Sequence, residues 1–400
     1  MLLTRWTKKL TLVVLLTGNY TALMAKNFEI PKPLESIEED NVLKDLKKEF
    51  MNFGGAVRVN YSYTNYQTYA DNKDRMGDID FDMFRLDYDG QKDGVILSAQ
   101  IRFFQYMYAI RHAWVGFDTN SKSQFHIGVV PMPFGAMPYN SNNFFFSANY
   151  YLGLEDTHAS GMHWQYKEKN FDIDLGFYKN DDLGGIDGYV ENRNRSYTYS
   201  IVGVGLDGNN SVLRDLGESN TVHFRYAHKF LLNDKCKIEL GVSGLHGAIV
   251  DATTAVGKRD AYALHTVVDV GALNVKLQAT QYNINLDDQS QKIAIGAYAW
   301  NDEIASKTTS YTAHLAYKLK KQLGLIKNIT LYNDYSLLTH KSTFQEDTIM
   351  NDTGVSFSAG KTYTYVDFIV AKNMPFIGGS MVGDTLAWSY RMNINMGYYF

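Results

Sequence analysis

The chain is written as a series of short stretches in which apolar and polar residues alternate, separated by polar, turn-forming breaks. The clearest stretch is the last. Over Asp384 to Phe400, Leu386, Trp388, Tyr390, Met392, Ile394, Met396, Tyr398 and Phe400 share one face, with Ala387, Ser389, Arg391, Asn393, Asn395, Gly397 and Tyr399 on the other. Successive side chains of a strand point to opposite sides, so this period of two predicts one long strand with a greasy face and a mostly polar face. A tilted strand crosses a bilayer in roughly 9 to 11 residues. This stretch supplies that, with aromatic anchors at both ends.

The same pattern recurs from Gly54 onward. Val57, Val59, Tyr61 and Tyr63 alternate with Arg58, Asn60 and Ser62; Val95, Leu97, Ala99, Ile101 and Phe103 with Ser98, Gln100 and Arg102; Phe171, Ile173, Leu175 and Phe177 with Asp172, Asp174 and Gly176. Further along, Val222, Phe224 and Tyr226 oppose His223 and Arg225, Leu273, Val275, Leu277 and Ala279 oppose Asn274, Lys276 and Gln278, and Tyr311, Ala313, Leu315 and Tyr317 oppose Thr312, His314 and Lys318. Short breaks at 89–94, 118–123 and 167–170 read as tight turns at one end of the strands. Longer polar stretches at 65–78, 135–160, 180–195 and 340–353 read as loops at the other end, while 206–220 is too long for a tight turn. Repeated weak alternation of this kind predicts an all-β, antiparallel transmembrane barrel over 51–400. At roughly 22 residues per strand and connection it has 16 strands, or 18 as the alternative.

The beginning of the chain reads differently. Met1 to Ala25 carries Arg5, Lys8 and Lys9, then the apolar run 10–16, then Ala22 and Ala25. That is a secretory signal peptide, cleaved after Ala25, whose apolar core is far shorter than a spanning helix. Residues 26–50 place Glu35, Glu38, Glu39 and Asp40 before Lys44, Lys47 and Lys48, with Leu34, Ile37, Leu43, Leu46 and Phe50 as a ragged apolar stripe. Acids before bases suit a helix dipole, so a short periplasmic helix is expected there, as a plug, a contact with neighbouring subunits or a solvated leader. No apolar run later in the chain is long enough for a spanning helix, and a closed barrel is the other way to satisfy backbone hydrogen bonds in lipid.

Composition fits this picture: Tyr 29, Phe 22 and Gly 32 are plentiful, and Pro 6 is scarce. The formal net charge is -4, and removal of Arg5, Lys8 and Lys9 with the leader makes the mature chain more acidic. Such a balance excludes a general nucleic-acid binder. Cys236 is the single cysteine, so no intramolecular disulfide can form.

Ala113-Trp114, Gly128 and Pro133-Phe134-Gly135, with a looser match over Thr221 to His228, resemble the phosphate-selective porin O and P family of bacterial outer-membrane porins. The ending on Phe400 also resembles outer-membrane barrels, whose closing strand commonly finishes on an aromatic residue read by the assembly machinery. The resemblance implies a Gram-negative outer-membrane porin of 16 strands, a homotrimer in outer-membrane lipid, passing small hydrophilic solutes or anions and narrowed by inward-folding loops. The stretch 136–159 is the constriction expected on that basis. Its Phe144, Phe145, Phe146, Tyr150 and Tyr151 are too apolar for a solvated tip and need a wall or a neighbouring subunit to pack on. The chain departs from the family here: the loop holds no Lys or Arg but carries Glu155 and Asp156. Cations fall instead on strand faces. Arg58, Arg85, Arg102, Arg225, Lys276, Lys318 and Arg391 are the pore-lining candidates, with Asp87, Asp172, Asp174 and Glu239 on the same kind of face. Opposing charges of this sort set a transverse field across a diffusion pore or serve as solvated wall residues.

Bond-making chemistry is not expected. Gly203-Val204-Gly205-Leu206-Asp207-Gly208 matches a dinucleotide fingerprint in letters, yet nothing predicts the helix that fingerprint needs. Neither G-x-S-x-G nor H-E-x-x-H occurs, so no catalytic, cofactor or metal residue is assigned. The leading expectation is a passive outer-membrane channel and not an enzyme. Two alternatives stand beside it: a structural or adhesive barrel acting through its extracellular loops, and an outer-membrane hydrolase using His163, His223 or His314.

Overall fold

The computed structural model describes residues 49–400 except 67–71, 234 and 344. The expected signal peptide over 1–25 and nearly all of the expected helix over 26–50 lie outside the described residues. In chain order the strands are β1 (Phe50–Thr64), β2 (Asp78–Lys92), β3 (Val95–Phe103), β4 (Tyr108–Asn120), β5 (Ser123–Pro131), β6 (His158–Lys167), β7 (Phe171–Asp181), β8 (Ser200–Leu206), β9 (Val212–Asp215) and β10 (Gly217–Asn233). They continue as β11 (Cys236–Val250), β12 (Ala255–Val270), β13 (Leu273–Leu286), β14 (Lys292–Ala297), β15 (Trp300–Ala305), β16 (Lys307–Lys318), β17 (Ile326–Thr339), β18 (Thr348–Ala359), β19 (Thr362–Lys372) and β20 (Ser389–Tyr399).

Sixteen of these close an antiparallel barrel in the order β1-β2-β3-β4-β5-β6-β7-β10-β11-β12-β13-β16-β17-β18-β19-β20. Closure joins the first strand to the last: Ala56 pairs with Tyr399 and Thr64 with Arg391. The two backbones also bond reciprocally at Gly55 and Phe400, each 3.1 Å. A closed ladder leaves no edge, and every strand can then follow the inside-outside alternation read from the sequence. On β13, Leu277 is outward and exposed, while Gln278 is inward and buried. On β20, Met396 and Tyr398 are exposed outward, and Asn393 and Asn395 are buried inward. Large apolar side chains are exposed on the outer face of most of the barrel strands and form a belt. Such a belt would be untenable in water.

Connections divide by end. The expected turns at 89–94, 118–123 and 167–170 join β2 to β3, β4 to β5 and β6 to β7 at one end. The β2–β3 turn shows the geometry in detail: Asp93 and Gly94 both take positive φ, 51° and 78°, the twist a two-residue hairpin needs. At the opposite end most connections are long, although 104–107 and 251–254 are short.

Four expectations need correction. The closing strand runs from Ser389 rather than Asp384, because its partners stop first: β1 ends at Thr64 and β19 at Lys372, so Leu386 and Trp388 have no ladder to join. The loop expected over 135–160 is 132–157, since Ser160 already pairs in β6. The one expected over 340–353 ends where β18 begins at Thr348. The 206–220 segment is neither a turn nor a barrel connection of ordinary kind. It spans part of a second, four-stranded sheet, order β15-β14-β8-β9, built from the long connections β7–β10 and β13–β16. Gly203 and Gly205 sit on β8, and the chain turns after Leu206 without forming a helix.

Candidate functional site

The long connection 132–157 between β5 and β6 touches inward-facing residues around most of the barrel. Gly135 begins the crossing. Its φ of 70° favours glycine, and an added Cβ would lie 2.0 Å from the Gln278 side chain, so the backbone passes as close to β13 as it can. The Gly135 N–H donates to Ser243 Oγ at 3.0 Å, its carbonyl accepts from Arg225 Nε at 2.8 Å, and the Ala136 N–H donates to Gln278 Oε1 at 2.9 Å. Lys276 Nζ donates to the carbonyls of Tyr139 and Ser141 at 3.0 and 3.3 Å. Three strands of the wall, β10, β11 and β13, thus hold the root of the loop.

The middle of the loop is held by one carboxylate. Asp334 on β17 accepts from the backbone N–H groups of Asn142 and Asn143 at 2.6 and 2.9 Å, and from both side-chain amides at 2.8 Å. Beyond it, Arg58 of β1 lies over Phe144, 5.0 Å from the ring centre, and Arg391 of β20 over Phe145 at 4.8 Å. The aromatic cluster foreseen from the sequence therefore packs on the barrel's own arginines. Phe146 stacks on Tyr150 at 4.3 Å, and Tyr150 in turn bonds the hydroxyl of Tyr298 from the second sheet.

Both acids of the loop are engaged. Glu155 is buried and accepts from the N–H groups of Ser141 and Ser147 at 3.1 and 3.0 Å and from both serine hydroxyls. It ties the loop to itself. Asp156 pairs with Arg111 of β4 and accepts from Tyr197 Oη at 2.6 Å. Burial disfavours its charge, but Arg111 and these hydrogen bonds outweigh that and hold its carboxyl below the usual carboxylate range. Asp156 is thus neutralised by an arginine, and Glu155 is buried within the loop's own hydrogen bonds.

Several of the wall candidates fall into pairs. Arg58 meets Asp82 at 2.6 Å, Arg85 meets Asp87 at 2.7 Å, and Lys229 pairs with Asp172. Arg225 bridges Asp174 at 3.5 Å and Glu239 at 3.0 Å, beneath the loop root it also holds. Lys318 ends β16 at the turn end, exposed and away from the loop. Sequence reasoning missed Asp334, Gln278, Arg111 and Arg259; their inward strand positions were readable, but nothing marked them as partners of the loop. Arg259 of β12 pairs with Glu218 and donates to the Gly153 carbonyl at 3.3 Å.

Between the loop and the wall made by β1, β2, β3 and β20 lies a cavity of about 520 Å³. More than half of its lining residues are aromatic. The histidines raised for hydrolysis sit elsewhere. His163 Nε2 is 3.1 Å from Asp174, His314 Nδ1 is 2.9 Å from Asp334, and His223 packs near the Tyr178 ring. One serine does face an imidazole: Ser98 Oγ lies 2.9 Å from His112 Nε2, but Asp89 bonds Ser98 Oγ at 2.6 Å rather than orienting the ring. Among the described residues, no group of three or more His, Cys, Asp or Glu could hold a metal ion.

No family model and no curated protein matches the chain. Solved structures do. An outer membrane protein of Vibrio cholerae, OmpT in its trimer form, is similar with a TM-score of 0.55 at 12% identity, over 88% of this chain and 99% of that one. An anion-selective porin from Comamonas acidovorans is similar with a TM-score of 0.55 at 11% identity, over 88% of this chain and 100% of that one. At such identities the likeness establishes the fold alone.

Proposed function

We propose that this protein is an outer-membrane porin, a passive channel for small hydrophilic solutes, in which the 132–157 loop forms the constriction. The observation that carries the reading is the anchoring of that loop to inward-facing side chains of β1, β10, β11, β13, β17 and β20. A loop held at so many points would narrow a pore at a fixed place, and selectivity then resides in bore and wall charge. The exposed apolar belt seats the barrel in lipid, with the turn end toward the periplasm and the long loops outside. Export through the 1–25 leader agrees with that address.

The neighbour described as a trimer form supports a homotrimer for this chain too. The anion-selective neighbour, together with the absence of free acid on the loop, supports a preference for anions over cations. A hydrolytic role is less favoured, because the Ser98–His112 contact has its carboxylate on the wrong partner. Purified protein added to planar bilayers tests the proposal: discrete conductance steps, with a reversal potential in a salt gradient showing anion preference, are expected. A barrel that inserts and stays silent would overturn it.

A further inference from the structure

Two guanidiniums at the cavity make no ion pair within 4 Å among the described residues. Arg102 of β3 donates to Gln100 Oε1 at 2.8 Å and lies over the Tyr197 ring at 4.6 Å. Arg391 donates to Asn393 Oδ1 at 3.1 Å and lies over Phe145. Their neighbours are matched, since Arg58 has Asp82, Arg85 has Asp87, and Asp156 has Arg111. Asp80 is the one further acid on the lining. Four arginines and three aspartates on the lining leave an excess of one positive charge.

Its walls are the second, independent observation. A small inorganic anion keeps its water shell, and aromatic surface offers nothing in exchange for losing it. A solute with a flat apolar ring gains from such walls, because rings pack favourably edge to face or offset. A carboxylate on that ring meets a guanidinium with matching geometry, and stacked arginine keeps its donors pointed outward. The volume of about 520 Å³ accommodates a single-ring solute. The geometry points to arenecarboxylates as the solutes this cavity binds in passage, with Arg102 and Arg391 taking the carboxylate and the loop aromatics the ring. This rests on the channel reading above.

Benzoate is the direct probe. Added to one side of a bilayer containing the purified full chain, potassium benzoate should interrupt the chloride current reversibly, at about tenfold lower concentration than acetate, the ratio that roughly 1.4 kcal/mol of ring packing gives. Inorganic phosphate should be no better than acetate, and glucuronate, whose ring has no aromatic face, should fall short of benzoate. The R102Q/R391Q double variant should lose about tenfold of the benzoate block. R102K/R391K, which retains charge without the planar fork, should fall between. Conductance steps in each variant report that it has folded and inserted. Open channels that treat benzoate and acetate alike, or that prefer phosphate, overturn the inference and leave the channel standing. A barrel with no conductance at all overturns the channel reading and this one together.

Discussion

At the residue scale, the charges on the loop act as fasteners. Glu155 closes the loop on itself, Asp156 ties it to Arg111 and Tyr197, and Asp334 reaches up from β17 to four donors of Asn142 and Asn143. Asp156 has a consequence for pH. Its carboxyl is held below its usual range, so the anchor it provides is complete at and above ordinary carboxylate values and is lost as pH falls through the lowered one. Open-channel noise and protease sensitivity of the loop should therefore be flat from neutral pH downward and rise only below about pH 4, the usual carboxylate range. Asp156→Asn should show the same noise at neutral pH. Onset near pH 6 in the native chain would point to a different group. The inward position of Asp334 was legible in the alternation of β17, whereas Glu155 and Asp156 lie on a loop that has no such pattern. The partners were not legible, because a strand face says that Asp334 points inward but not which part of the chain lies across the barrel to meet it.

At the scale of elements, alternation was readable where one face meets the interior and the other the exposed belt, as on β3, β7, β13 and β16. It failed where both faces are covered. In β14, Ile293, Ala294, Ile295 and Ala297 are all buried, so there is no polar side to give a period, and the second sheet was invisible to that reasoning. The final strand was read too long for the opposite reason. Side chains from Asp384 to Trp388 alternate, but a strand ends where its neighbours end. If the outer belt faces hydrocarbon, position along a strand sets the cost of charge. Leu277, mid-strand on β13 and exposed outward, should lose about 2–4 kcal/mol of folding stability on replacement by Arg. Leu325, exposed in the β16–β17 turn, should tolerate the same change. Urea titrations of folding into lipid vesicles measure the difference; equal costs at both positions would be inconsistent with a lipid-facing belt.

At the scale of the molecule, a closed wall encloses the lumen, and in the proposed channel one long connection sets its bore. The β5–β6 loop is anchored at its root by Arg225, Ser243 and Gln278 and at its middle by Asp334, and its aromatic side meets Arg58 and Arg391. The strands carry the fold, so shortening the loop should change transport before it changes assembly. The most direct measurement is the unitary conductance of the native chain beside a variant in which residues 139–152 are replaced by a short glycine linker. Discrete openings are expected from both, with a larger step and a wider solute cut-off in the shortened form. Equal conductance in the two, or a native barrel that inserts without conducting, would contradict it.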